Sequence, residues 1–315
     1  MVPAVIALFG PTGVGKTAVA LALADRLRAA GEDPVAVSAD ALQVYAGLET
    51  LTGAASPAQR ERLEHRLVGF VPVDRRFSVA EYAQLAHAEI DGLLAAGRRP
   101  IVVGGTGLYL RAALAELDLA PPPPPGVRER REAELAQRGA PALHAELVTA
   151  DPATAATVDP QDGRRIVRKL ELLDAGHGSD PRGSDPSRTE EGDPLGSLWT
   201  AATRHPTVLA GLTMERDALT ARVEARVDAM VAAGAAAEVA RADAAGASET
   251  ARQALGFAEL LAGDVEAMKR GTRRLARRQE TWMRKLGGVR LIDVTGRDPD
   301  DVAGAVGRLA ASPPQ

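Results

Sequence analysis

GPTGVGKT, residues 10–17, follows the apolar run Ala4-Val5-Ile6-Ala7-Leu8-Phe9 and fits G-x-x-x-x-G-K-[ST], the pattern of a phosphate-cradling P-loop. Glycines let the backbone turn so that successive N–H groups point inward onto phosphate oxygens, and the helix that follows adds a positive partial charge. Gly10, Pro11, Thr12, Gly13, Val14 and Gly15 supply the cradle, Lys16 a full charge, and Thr17 a hydroxyl suited to Mg2+. A strand over 4–9 and a helix from Lys16 to about Ala30, closed by Gly31, set the motif apart from an accidental glycine turn. The loop reads oxyanions only. ATP or GTP is the usual cargo, but the rest of the chain has to name the phosphate.

Working outward, Pro34–Ser38 reads as a second strand ending at Ala39-Asp40, and 79–96 as a helix capped by Ser78 and closed by Gly97. Ile101-Val102-Val103 is a buried-type strand running into Gly104-Gly105-Thr106-Gly107, with a helix from Leu108 to Leu117. Strands alternating with helices at this spacing predict a P-loop NTPase-like α/β fold, a parallel sheet with helices on both faces. The run Pro121–Pro125 reads as a stiff linker and 176–197, rich in Gly, Pro, Ser and Asp, as a mobile segment. Between them lie helical stretches at 127–138, 141–148 and 163–175; 207–212 then reads as a strand rejoining the sheet, followed by a helix over 215–233. The organisation expected is a core of residues 1–120 and 199–315 interrupted by a small helical insertion, 121–198.

With 315 residues, 45% of them hydrophobic, the chain has ample material for a core. A net charge of −4 confines any nucleic-acid contact to local basic patches. Cysteine is absent, which excludes disulfides, thiolate catalysis and cysteine-based zinc sites. The five histidines are scattered without metal-ligand spacing. No apolar run is long enough to cross a membrane and no leader-like segment is evident, so a cytoplasmic protein without membrane contact is expected, a monomer by default.

In open α/β sheets ligands sit beyond the carboxyl ends of the strands. The P-loop, Asp40 and Thr106 all fall there and should converge. A carboxylate at position 40 can coordinate Mg2+ or take a proton from an attacking nucleophile. In KRGTRRLARRQETWMRKL, 269–286, the residues Arg270, Arg273, Arg274, Arg277 and Arg278 share one helix face, while Met268, Leu275 and Trp282, recurring every seven residues, are expected to anchor another. Arg164, Arg165, Arg168 and Lys169 make a second basic face in the insertion. Like charges this close call for an anionic partner, either bound phosphate or a nucleic-acid backbone.

GPTGVGKT, SADALQVYAGL (38–48), RRPIVVGGTGLYLRA (98–112), GRRIVRKLEL (163–172), ARQALGF (251–257) and RRLARRQETWMRK (273–285) occur in the order and spacing of the tRNA dimethylallyltransferases, or tRNA isopentenyltransferases. The chain resembles that family over most of residues 3–290. The resemblance implies transfer of a dimethylallyl group from dimethylallyl diphosphate to the exocyclic amine of the adenosine just 3′ of the anticodon, in tRNAs reading codons that begin with U. It makes Asp40 the general base and Thr106 a catalytic contact to the target nucleotide, with Lys16, Thr17 and Arg277 holding the diphosphate and Mg2+. It puts Asp40, Ala41, Leu42, Gln43 and Thr106 against the tRNA. Arg128, Arg164, Arg165, Ile166, Val167 and Arg168 of the insertion join them, as do Arg252, Gln253, Gly256 and Phe257. Arg273, Arg274 and Arg278 would add backbone contacts on the anticodon stem-loop. Three departures stand out: Ala41 replaces a serine usual in the family, LETLTGAAS, 48–56, lacks the family's lysine, and 176–197 replaces a more ordered stretch at the end of the insertion. The residues alone also admit a small-molecule P-loop kinase of the shikimate or nucleoside type, or a non-catalytic RNA-binding protein with a P-loop switch.

Overall fold

A computed structural model of the chain describes residues 5–117, 123–176 and 201–311. Among them six strands form one parallel sheet: β1 (Val5–Phe9), β2 (Pro34–Ala39), β3 (His65–Arg66), β4 (Arg99–Gly104), β5 (Thr207–Thr213) and β6 (Arg290–Asp293). Their order is β3-β2-β4-β1-β5-β6. The central strands are nearly continuous apolar runs because both faces are covered. Ile6, Leu8, Ala36, Ile101, Ala210, Leu212 and Ile292 face a core shared with the helices Lys16–Ala29 and Pro299–Ala311. The alternate residues Val5, Ala7, Phe9, Val35, Val37 and Val102 are equally buried and face the opposite side. The Val79–Ala95 helix packs on β2 and β4. Its Ser78 cap forms a reciprocal pair of bonds with Glu81, a capping box that fixes where the helix begins.

The chain crosses from β1 past β4 to β2, and after β4 it moves to the other side of β1 for β5. That reversal opens a crevice at the carboxyl ends of β1 and β4. The register makes it specific. Ala39, Gly104 and Phe9 lie in one row across β2, β4 and β1, so Asp40, Gly105 and Gly10 leave the sheet side by side.

Two compact units divide the chain, one of Met1–Glu116 with Trp199–Gln315 and one of Leu117–Leu198. In the second, the helices Val127–Arg138, Ala140–Ala150, Pro152–Ala155 and Gly163–Asp174 enclose their own core of Leu143, Leu147, Val158, Ile166 and Leu170. Of the segments expected to be linker or mobile, Pro121, Pro122 and all of 177–197 lie outside the described residues.

Two expectations need correction. The helix expected to run from Leu108 to Leu117 spans Gly107–Leu114, since Ala115 is already extended at φ −135°, ψ 157°. The basic helix spans Val265–Lys285, and its buried stripe is Met268, Thr272, Ala276, Gln279 and Met283. A spacing of four and three follows the 3.6-residue turn, so Leu275 and Trp282 flank the seam, half-buried, and do not form it.

Candidate active site

The P-loop needs glycine where the backbone is left-handed, at Gly13 (φ 84°) and Gly15 (φ 103°). Within it, the Lys16 ammonium donates to the carbonyl oxygens of Gly10 (2.9 Å) and Pro11 (3.0 Å). Burial, reinforced by the charge of Arg226 and opposed by that of Asp40, lowers its pKa to about 8. Arg226, on the helix Arg216–Ala232, is itself lowered by burial. One Nη of that guanidinium donates to the Gly53 carbonyl (3.3 Å), while its Nε is buried without a partner. One turn earlier, Arg222 brings an Nη within 3.2 Å of where a Cβ on Gly15 would stand. Three cations therefore border the loop, Lys16 and Arg226 with their charges buried and Arg222 exposed, and the charge of Asp40 acts on the buried pair. Two buried cations with a single carboxylate acting on them are stabilised by an added anion.

Asp40 accepts from the backbone N–H of Leu42 at 3.0 Å and more weakly from Gln43, a turn that holds its carboxylate at the end of β2. Two tyrosines back that strand end. Tyr82 donates from its hydroxyl to the Ser38 carbonyl at 2.8 Å, and its ring lies 4.6 Å from that of Tyr109. Burial pushes both phenols up, and the negative charge of Asp40 adds to the shift in each. Thr106 caps the Gly107–Leu114 helix through its backbone, and its hydroxyl makes no hydrogen bond among the described residues. Close approach explains the glycines beside it. A Cβ on Gly104 would stand 2.3 Å from the Ala39 carbonyl oxygen, and one on Gly107 2.3 Å from the Trp282 ring.

Gln279 ties the basic helix to this crevice. Its side-chain oxygen accepts from the Thr12 N–H at 2.8 Å, and its amide nitrogen would meet a Cβ on Gly105 at 2.6 Å. Arg274, Arg277 and Arg278 of that helix are exposed and free of ion pairs among the described residues. Arg273, by contrast, is ion-paired with Glu224, and Arg270 lies 3.7 Å from Asp264. The five-arginine face thus contributes three uncommitted guanidiniums.

Several residues expected at the RNA have side chains that are buried or engaged within the protein. Ile166 and Val167 are core residues of the second unit, and Phe257 is buried in the first, so their side chains hold helices in place. Arg128 grips the buried Glu171 through two hydrogen bonds of 2.6 and 2.8 Å, and Arg168 binds the same carboxylate at 3.0 Å. The basic face of the insertion reduces to Arg164 and Arg165, the latter beside Asp162. Arg252 and Gln253 are exposed, with the Arg252 guanidinium 5.4 Å from the Phe257 ring centre. Gly256 is left-handed at φ 98° and packed against Met268 and Leu51. Ala41, Leu42 and Gln43 are half-buried, and Gln43 accepts from the Ser38 hydroxyl at 3.1 Å.

Sequence reasoning passed over Arg222, Arg226 and Gln279. The available signals were the four-residue spacing of the two arginines after β5 and the position of Gln279 within the basic helix. No group of three or more His, Cys, Asp or Glu able to hold a metal occurs among the described residues. The half-exposed Thr17 hydroxyl, which makes no hydrogen bond there, still suits an ion bound mainly through phosphate oxygens and water. No described helix is long and apolar enough to cross a membrane.

An IPP transferase family model matches residues 43–286 and an isopentenyl transferase model residues 3–76. The chain is 42% identical over 293 residues to the tRNA dimethylallyltransferase of Thermobifida fusca, spanning 89% of this chain and 87% of that one. Its identity to the Kineococcus radiotolerans tRNA dimethylallyltransferase is 40% over 312 residues, 95% and 93% of the two chains. Among solved structures it matches the tRNA isopentenylpyrophosphate transferase of Bacillus halodurans with a TM-score of 0.67 and 29% identity, over 98% of this chain and 97% of that one. These similarities support the prenyltransferase reading and not the kinase alternative.

Proposed function

Because this chain belongs to the IPP transferase family, we propose that it transfers a dimethylallyl group from dimethylallyl diphosphate to the exocyclic amine of a tRNA adenosine, releasing diphosphate. The adenosine is the one 3′ of the anticodon in tRNAs reading codons that begin with U. One observation carries this reading: Asp40, Gly105 and Gly10 leave three neighbouring strands in one row. A base for the nucleophile and a cradle for the leaving group therefore stand about two strand spacings, ~10 Å, apart.

The diphosphate lies in the P-loop, where the Lys16 ammonium exchanges two carbonyl acceptors for phosphate oxygens. Arg222, Arg226 and Arg277 add charge against the oxyanion as the C–O bond to the allyl group breaks. Thr17, together with the diphosphate oxygens, would hold Mg2+, which would supply further positive charge to the leaving group. The adenosine amine attacks the allylic carbon, and Asp40 takes the proton that the nitrogen loses on bond formation. Thr106, its hydroxyl free, orients the base. The adenine must be unstacked for its amine to reach the crevice between the strand ends, and single-stranded loops are where RNA permits that. The protein works as a cytoplasmic monomer.

The test supplies pure protein and unmodified tRNA with radiolabelled dimethylallyl diphosphate or with γ-labelled ATP. Label from the prenyl donor enters tRNA and does so no longer in Asp40→Ala. Phosphorylation of a metabolite from ATP without prenylation of tRNA overturns the proposal.

A further inference from the structure

Phenylalanine is scarce in this chain, four residues in all. Phe9, Phe77 and Phe257 are buried, whereas Phe70 is 40% exposed. Its exposure is built into the backbone. Just after β3, Leu67 is the one non-glycine among the described residues at positive φ (60°), and Gly69 follows at φ 61°. A non-glycine residue persists there only when its surroundings impose it, and such strain gathers at functional positions.

The next residues are pinned on both sides. Gly69 donates its N–H to the Gln43 carbonyl at 2.8 Å, and Phe70 donates to Val44 at 2.8 Å. This is the segment that leaves β2 through Asp40. Further along, Ser248 donates its N–H to the Val73 carbonyl (2.8 Å) and its hydroxyl to that of Arg75 (3.0 Å). Arg76 pairs with Glu249 at 3.0 Å. The 67–77 loop therefore bridges the 40–43 stretch, expected at the RNA, and the Ser248-Glu249 turn that leads into Arg252 and Gln253, also expected there. The Phe70 ring is held edge-to-face on buried Phe77, centroids 5.6 Å apart at 90°, and the Arg75 guanidinium lies 5.9 Å from the Phe77 ring centre. The Arg75 guanidinium is itself ion-paired with Glu81, so the feature that matches the chemistry of a stacked nucleobase is the water-facing Phe70 ring, fixed by backbone and ring contacts.

We propose that Phe70 is a stacking platform for an unpaired nucleobase of the tRNA anticodon loop next to the target adenosine. The inference rests on the tRNA prenyltransferase reading and adds a subsite to it. Base stacking on an aromatic ring tolerates any base identity, so the platform holds the loop open and leaves sequence choice to other contacts.

The experiment measures affinity for a synthetic anticodon stem-loop, intact or with one loop nucleotide beside the target adenosine made abasic. Phe70→Ala weakens the intact RNA about tenfold. Phe70→Leu, which still covers Phe77 but has no π face, behaves the same, and Phe70→Trp restores binding. With wild-type protein one abasic RNA loses a similar factor, and with Phe70→Ala that RNA loses nothing more, the non-additivity of a direct contact. Pyrophosphate affinity and thermal midpoint stay unchanged. Binding of intact RNA by Phe70→Ala at wild-type affinity, or additive losses at every abasic position, overturns the platform. A wild-type protein that prenylates no tRNA refutes the functional reading itself, so the two failures are distinct.

Discussion

At the residue scale, Lys16 carries the pH dependence of phosphate binding. Its ammonium is paired with neutral carbonyl oxygens, and burial beside Arg226 brings its pKa down to about 8. A bound diphosphate favours the charged amine and raises that pKa again. Binding pyrophosphate at about pH 8.5 therefore takes up protons at this amine, whereas at about pH 6.5 it is already charged and takes up none. Calorimetry in buffers of different ionisation enthalpy reads the difference. Lys16→Met removes the part of the uptake due to this residue; an uptake identical in the variant assigns the titration elsewhere. Gln279 makes a complementary point. Nothing local distinguishes it from the polar residues around it, and its importance comes from helix phase, which turns it inward onto the Thr12 N–H.

At the element scale, the Val265–Lys285 helix joins the two halves of the chemistry. Its buried stripe grips the crevice, while Arg274, Arg277 and Arg278 face solvent without ion pairs among the described residues. Replacing Arg274 and Arg278 by Glu lowers the slope of log K for tRNA against log salt by about 1 per lost phosphate contact. An unchanged slope removes those two from the RNA footprint. Arg273→Ala breaks the pair with Glu224 and leaves that slope closer to wild type. The legibility of such elements in the sequence follows burial. β1, β2, β4 and β5 were readable as apolar runs bounded by glycines or turns, since central parallel strands are covered on both faces. β3, two half-buried residues, and β6, with only Ile292 buried, carry too little apolar pattern to declare themselves. The basic face was visible as a period, but its partners were not, because Glu224 and Asp264 meet it only through folding or at its cap. The P-loop, Asp40 and Thr106 were legible because strand ends in a parallel sheet converge by topology alone. Arg222 and Arg226 needed the packed position of their helix.

At the scale of the whole molecule, the chain leaves the sheet-bearing unit and returns to it at neighbouring points. Arg204 donates its N–H to the Leu114 carbonyl (2.8 Å), and its guanidinium binds Glu116 (2.7 Å). The second unit, with its own apolar core, is thus inserted where a short link can close the gap. Replacing residues 117–198 by a glycine-serine linker leaves pyrophosphate affinity within about twofold and weakens tRNA binding by about tenfold or more. Loss of pyrophosphate binding in that variant shows the P-loop unit depends on the insertion for its fold. On the proposed reading, sheet register sets a phosphate cradle and a carboxylate base in one row, with basic surfaces for the RNA that brings the nucleophile.

The most direct measurement of that account is single-turnover transfer of the dimethylallyl group to tRNA by Asp40→Asn, which keeps the side-chain shape and removes the base. The rate falls by ~10²–10⁴-fold while pyrophosphate and tRNA affinities hold. Transfer at the wild-type rate by Asp40→Asn contradicts the assignment of this carboxylate as the proton acceptor.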